Sequence, residues 1–204
     1  MSFYDKYLLP RLIDFACGLK RIQRERAALV PSAKGLVLEI GVGSGLNFPF
    51  YDPAQVEHLW ALEPSPEMRS LAAPQAARTS FPTEFIGLSG EEIPLEAGSV
   101  DTVVTTYTLC TIPDAVRALR EMRRVLRPGG HLLFLEHGAA PEAAVRKWQH
   151  RLTPVWKRIG GGCHLDRDIA ALIAEAGFGI DRIDSFYLPG PRFLTFTFRG
   201  CARP

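Results

Sequence analysis

The sequence predicts a single α/β domain built on a doubly wound, mostly parallel sheet, and three observations carry that expectation. Leu36-Val-Leu-Glu-Ile40 is a continuous apolar run that breaks at once into Gly41, Gly43 and Gly45, as a strand buried on both faces reads when it turns sharply at its end. About 20 residues further on, the distance at which nucleotide folds place an acid, His58-Leu-Trp-Ala-Leu-Glu63 repeats the pattern of a strand closing on a carboxylate. Strand-like and helix-like runs then alternate, the order that parallel sheets require.

Composition sets the bounds. With 204 residues, 47% hydrophobic and 23% charged, the chain is long enough for one domain with a sizeable core. A net charge of +2 asks for no nucleic acid, and none is expected as a partner. Cys17, Cys110, Cys163 and Cys201 form no C-x-x-C pair, no signal-peptide pattern opens the sequence, and no apolar run reaches about 18 residues. Free thiols in the cytoplasm are therefore expected. Cys163, His164, His137 and His150 match no zinc spacing, so no metal is expected.

Taken in order, Ser2 to Ala28 reads as a helical extension. Leu8, Leu9, Leu12, Ile13 and Phe15 form an apolar side, and Lys20, Arg21, Arg24 and Arg26 make the following part basic. It packs on its own sheet, or acts as a lid over residues 1–30 with Tyr4 and Tyr7 covering a ligand, or touches an anionic membrane peripherally. The loop that follows the first strand is G-x-G-x-G, not the G-x-G-x-x-G of dinucleotide folds. Glu39 just before it would repel a pyrophosphate but suits a cationic ligand such as the amino end or sulfonium of S-adenosylmethionine (SAM). Glu63 is placed to accept both ribose hydroxyls. Leu46-Asn-Phe-Pro-Phe-Tyr51 is expected to begin the first core helix, with Asn47 reaching the ligand's amino acid end. Pro64 follows the second acid and opens another helix.

These residues resemble the class I SAM-dependent methyltransferases. The resemblance implies that Met68 lies near the adenine. It also sets Ser89-Gly90-Glu91 at the adenine slot, with Ser89 standing where an Asp is common and Gly90 and Glu91 lining through backbone groups. A short third strand, Glu84 to Leu88, precedes that segment. Val100 to Tyr107 is a β-branched fourth strand, which puts Thr105, Thr106 and Tyr107 at the ligand edge of the sheet. An aromatic face at Tyr107 would attract the sulfonium, and Cys110 reads as a buried small residue.

Asp114 to Leu126 has helical periodicity, and its arginines form a solvated face. The helix stops at Pro128-Gly-Gly130, before a fifth strand, His131 to Glu136. Glu121-Met-Arg-Arg-Val-Leu-Arg-Pro-Gly-Gly130 resembles the hallmark of the methyltransferase group that includes the quinone C-methylating enzymes.

Residues 137–167 are aromatic, basic and glycine-rich, a pattern suited to a substrate cap. Trp148-Gln149, Trp156-Lys157-x-Ile159-Gly160-x-Gly162-Cys163 and Arg167 resemble the methyltransferase-like 7 family, the eukaryotic microsomal alkyl thiol S-methyltransferases, and its soluble bacterial relatives. The chain is expected to lack the membrane anchor of the eukaryotic members, and His164 and Asp166 depart from the Cys and Thr of their motif. Ile169 to Ala176 is the last helix, and Ile180–Tyr187 and Arg192–Arg199 alternate as strands. The family implies a Rossmann-like seven-stranded sheet with the last strand antiparallel.

The expected reaction is in-line transfer of the SAM methyl group to a small acceptor, leaving S-adenosylhomocysteine. A thiol or sulfide fits best, since its pKa near 8.5 leaves a reactive fraction of thiolate. His137 is the first candidate for a base, then His164, with Tyr7 and Asp166 behind. A quinone precursor or phospholipid as acceptor, and a SAM-binding module without turnover, are the competing readings.

Overall fold

The computed structural model describes residues 3–204. A π-helical turn at Tyr4–Leu8 leads into α1 (Leu9–Cys17) and α2 (Lys20–Leu29), so the helical extension breaks at Gly18 and Leu19. The alternating body follows as β1 (Gly35–Ile40), β2 (Val56–Leu62), α3 (Pro66–Ala76), β3 (Thr83–Ile86), β4 (Val100–Thr106), α4 (Ala115–Val125), β5 (Leu126–His137), α5 (Ala143–Ile159), α6 (Ile169–Glu175), β6 (Gly179–Tyr187), α7 (Arg192–Thr195) and β7 (Phe196–Arg203).

The seven strands lie in the order β3-β2-β1-β4-β5-β7-β6. Pairing is parallel from β3 to β5, whereas β7 runs antiparallel to both neighbours. The chain leaves β1 toward one edge of the sheet and returns through β4 on the other side. Open α/β sheets bind ligands at such a reversal, beyond the carboxyl ends of the strands. Here that crevice is bounded by the loops after β1 and β4.

β1 is buried on both faces, which is why its apolar run is unbroken. Leu38 and Ile40 pack in the layer that holds Leu119 and Met122 of α4. Val37 packs on the opposite face with Leu29, Val30 and Leu59. α4 shows the expected division, burying Ala118, Leu119 and Met122 while Arg117 pairs with Glu92 and Arg124 with Glu121 on its outer side.

Three expected elements differ. Leu46 to Tyr51 starts no core helix: only a 3-10 turn at Phe48–Phe50 forms. Pro49 disfavours helical geometry at the residue before it and supplies no N–H, while Phe48 and Tyr51 are drawn into the core. The Pro128-Gly-Gly segment lies within β5, and helix α4 already ends at Val125. Arg192–Thr195 is one helical turn because β6 ends at Tyr187, paired with Phe196, and leaves no ladder partner for the residues before it.

Candidate active site

The glycine loop binds itself to its surroundings before any ligand is considered. Gly41 takes φ +68°, and a Cβ there would lie 2.4 Å from the Thr108 side chain, so only glycine lets β1 pass the loop after β4. Gly43 takes φ +60° and faces Met68, whose Cε lies 3.4 Å from the place a Cβ would occupy. Its N–H donates to Glu63 Oε2 at 3.0 Å, while Ser65 N–H donates to Oε1 at 2.9 Å. Burial raises the Glu63 carboxyl above its ordinary value, and those backbone donors oppose the rise.

Beneath this loop runs a buried polar chain. Arg26 donates to Asn47 Oδ1 at 2.6 Å and to Thr106 Oγ1 at 2.5 Å. Asn47 donates in turn to Glu39 Oε1 at 2.8 Å, and Tyr51 donates to Glu39 Oε2 at 2.7 Å. Burial pushes the Glu39 carboxyl up to about 7. Arg26 Nε has no partner, and among the described residues no carboxylate forms an ion pair with this cation.

The loop after β4 is pinned by Glu136, fully buried, whose carboxylate accepts from Thr105 Oγ1 and the Thr108 N–H. That clamp holds Tyr107 at φ +55°, the only positive φ at a non-glycine among the described residues. Its ring lies 5.9 Å from the Arg26 guanidinium and 6.2 Å from the His137 ring. The buried hydroxyl has no partner, and burial pushes its pKa up.

Two cavities meet at this residue. One, of about 390 Å³, is lined by Arg26, the loop from Gly41 to Ser44, Glu63, Pro64, Met68, Ser89, Gly90, Thr106 and Tyr107. The other, of about 490 Å³, is mainly apolar and is lined by residues of α1, by Trp156 and Ile159 of α5, and by Cys110, His137 and Cys163. Both volumes lie in the range of small-molecule sites, roughly 300–1,000 Å³. Leu9, Ile13, Cys17, Tyr107 and Thr111 line both. Two hydrogen bonds hold the covering segments: Ser44 Oγ donates to Asp14 at 2.5 Å, and Tyr4 donates to the Ile159 carbonyl at 2.6 Å.

Comparison with known proteins names the architecture. A family model described as a methyltransferase domain matches residues 38–134. The thiol S-methyltransferase TMT1B of Rattus norvegicus is 34% identical over 86% of this chain and 75% of its own length. The chain belongs to the SAM-dependent methyltransferases. The human TMT1B is 39% identical over 72% of this chain and 61% of its own length. The fold is shared with the SAM-dependent methyltransferase of Mesorhizobium loti, at 19% identity and a TM-score of 0.67, covering 92% of this chain and 99% of that one.

In this methyltransferase the sequence-chosen residues divide by position. Gly41, Gly43, Glu63, Pro64, Met68, Gly90, Thr106 and Tyr107 line the glycine-loop cavity, and His137 lines the more apolar one. Gly45 closes the turn behind the cavity, its Cα backed by the Phe48 ring. Glu39 and Asn47 are buried below the lining. Glu91 turns away, accepting from Ser89 Oγ and from the Asp114 N–H at the start of α4. His164 and Tyr7 line neither cavity: Tyr7 is 52% exposed and stacks on Phe3, and burial and neighbouring cations lower the His164 pKa. Asp166 is held by His150 and Thr153.

Sequence reasoning missed Arg26 and the grouping of Cys110 with Cys163. Arg26 carries a usable signal, since it stands on the buried stripe of α2 between Ile22 and Leu29. The cysteines carry none, because separate loops bring them together. His137 Nε2 lies 2.9 Å from Cys163 Sγ. Hydrogen bonding from Cys110, then the His137 charge, holds the Cys163 thiol below its ordinary range; burial works against the charged form of His137, but the Cys163 charge, its hydrogen bond and the Glu136 carboxylate together raise it.

Proposed function

We propose that this chain transfers the methyl group of SAM to the sulfur of a small, largely apolar thiol. The meeting, at Tyr107, of a glycine-lined cavity that holds Arg26 and Glu63 with a more apolar one is the observation that carries the reading. The similarity to the thiol S-methyltransferases supports the choice of acceptor. SAM, when bound, supplies a methyl group already activated on a sulfonium.

The chain's own residues bind, orient and exclude water. Glu63 keeps lone pairs free for ribose hydroxyls after accepting from Gly43 and Ser65, and the bare Gly43 backbone lets the ligand approach the main chain. Arg26, a buried cation without a carboxylate partner, fits the carboxylate of the donor's amino acid end. Glu39 and Asn47 act one step back, by fixing Arg26 and the Thr106 hydroxyl. Met68 and Gly90 fit the adenine. The Tyr107 ring would attract the sulfonium by about 0.5–2 kcal/mol.

His137, at the end of β5 and lining the more apolar cavity, is the group placed to orient the acceptor. Residues 1–30 serve as the lid and residues 137–167 as the cap of a single domain, and their closure keeps water from the reacting atoms. The four cysteines are free, which suits a reducing compartment. No helix of the described residues is long and apolar enough to cross a membrane.

Labelled SAM with a panel of sulfide, alkyl thiols, a demethylated quinone precursor and phosphatidylethanolamine vesicles tests the reading. Label is expected in the thiols, with turnover improving as the acceptor becomes more apolar. Transfer to the quinone or lipid alone would overturn the assignment.

A further inference from the structure

We propose that Cys110, His137 and Cys163 hold a zinc ion whose remaining position takes the acceptor's sulfur, an inference that rests on the thiol reading above. The three side chains come from the loop after β4, the end of β5 and the glycine turn after α5. Their ligating atoms all lie within 4.8 Å of one another. All three residues are buried, and all three line the apolar cavity.

The donor set specifies the metal. Two thiolates and one imidazole suit zinc, and three protein ligands with a fourth position left for substrate is the arrangement of catalytic zinc sites. Zinc–sulfur and zinc–nitrogen bonds of about 2.3 and 2.0 Å set tetrahedral ligand atoms roughly 3.5–3.8 Å apart. The His137–Cys163 separation of 2.9 Å falls short of that spacing by about half an ångström, and all three ligand atoms lie within 4.8 Å of one another, so side-chain shifts of that order close the site. Charge argues the same way. A divalent ion and two thiolates sum to zero, so the site before the acceptor binds carries no unpaired charge in its apolar wall, and the one negative charge the acceptor thiolate adds is removed when the methyl group is transferred to it.

The backbone is prepared for these positions. Cys163 N–H donates to the Gly160 carbonyl, and His164 N–H donates to the Cys110 carbonyl at 2.8 Å, which ties the two cysteine segments together. Gly161 and Gly162 take φ +62° and +90° in the turn that delivers Cys163. The cavity on which the three ligands open meets the donor site at Tyr107.

The step balances without a further reactant. An acceptor thiol loses its proton to solvent as its sulfur binds zinc. A lone pair of that sulfur forms the new carbon–sulfur bond, and the electrons of the methyl–sulfonium bond remain on the donor sulfur. The product thioether is neutral and a weak zinc ligand, so it leaves.

Zinc itself is the probe. Tag-free protein purified without chelator is expected to carry one zinc per chain, and its cobalt-substituted form should show thiolate-to-metal charge-transfer absorption. Both signals should vanish in the Cys110→Ser/Cys163→Ser double variant, and metal affinity should fall at least tenfold in His137→Ala. SAM affinity, measured on the same variants, should stay at the wild-type value and so report an intact donor site. Absence of metal from wild-type protein after titration with zinc, or equal binding by the double variant, would overturn the site. Chelator-stripped wild-type protein gives a comparison that needs no variant to fold. Undiminished thiol methylation by the stripped protein would overturn the proposal that zinc takes the acceptor's sulfur and leave the thiol reading standing. Bound zinc without methylation of any thiol would keep the metal and sink its role with the acceptor.

Discussion

Replacing Arg26 by Met tests the donor site at its least expected member. The guanidinium bridges Asn47 Oδ1 and Thr106 Oγ1, and Thr106 retains a 3.0 Å hydrogen bond from Asn47 without it. The substitution therefore orphans one buried acceptor, at about 1–3 kcal/mol, while it also removes a buried cation, which offsets part of that cost. Stability should change little. Binding should change more, because a hydrogen bond between charged groups contributes about 1.5–3 kcal/mol, or about 10–150-fold in the Kd for SAM. Calorimetric titration with SAM and with its decarboxylated analogue separates the two effects. Wild-type protein should prefer SAM, and Arg26→Met should lose the preference by weakening SAM alone. Equal weakening of both ligands, or an unchanged Kd for SAM, would refute the assignment of Arg26 to the carboxylate.

Three further outcomes follow from the same geometry. Gly43→Val places a β-branched side chain at φ +60° beside Met68, a strain of about 1–2 kcal/mol; SAM binding should be lost by calorimetry while the circular dichroism spectrum persists. Asp14→Ala removes the tie between α1 and Ser44, and at about 0.5–1.5 kcal/mol for that bond the SAM off-rate in stopped flow should rise roughly two- to tenfold. Glu39, with a folded pKa of about 7 above the ordinary 4.5, contributes stability that is complete at low pH and is lost as pH rises through about 7. The loss totals about 3 kcal/mol, so denaturant unfolding of the ligand-free protein between about pH 5 and pH 8 should show a slope that Glu39→Gln flattens. A parallel slope in the variant would remove Glu39 as its source.

Local chemistry explains what was legible. The β1 run, the alternating glycines and the acid at Glu63 are each required by a backbone event within a few residues, so they leave a pattern in sequence. The arginine face and apolar stripe of α4 are equally local. Leu46 to Tyr51 misled because its apolar residues serve the core from a 3-10 turn, and proline decided the backbone. The turn at Arg192–Thr195 misled because alternation does not say where the partner strand ends.

The sequence by itself determined the fold class, the glycine loop and the acid that closes the second strand, because strand burial, tight turns and caps depend on neighbours in the chain. Tertiary structure alone decided which side chains share a space. Glu39 and Asn47 moved below the cavity, Glu91, His164 and Tyr7 fell outside it, and Arg26 entered it from a helix remote in sequence. Cys110 and Cys163 became neighbours of His137 in the same way. Such meetings are set by the packing of whole elements across the sheet, and no spacing along the chain records them.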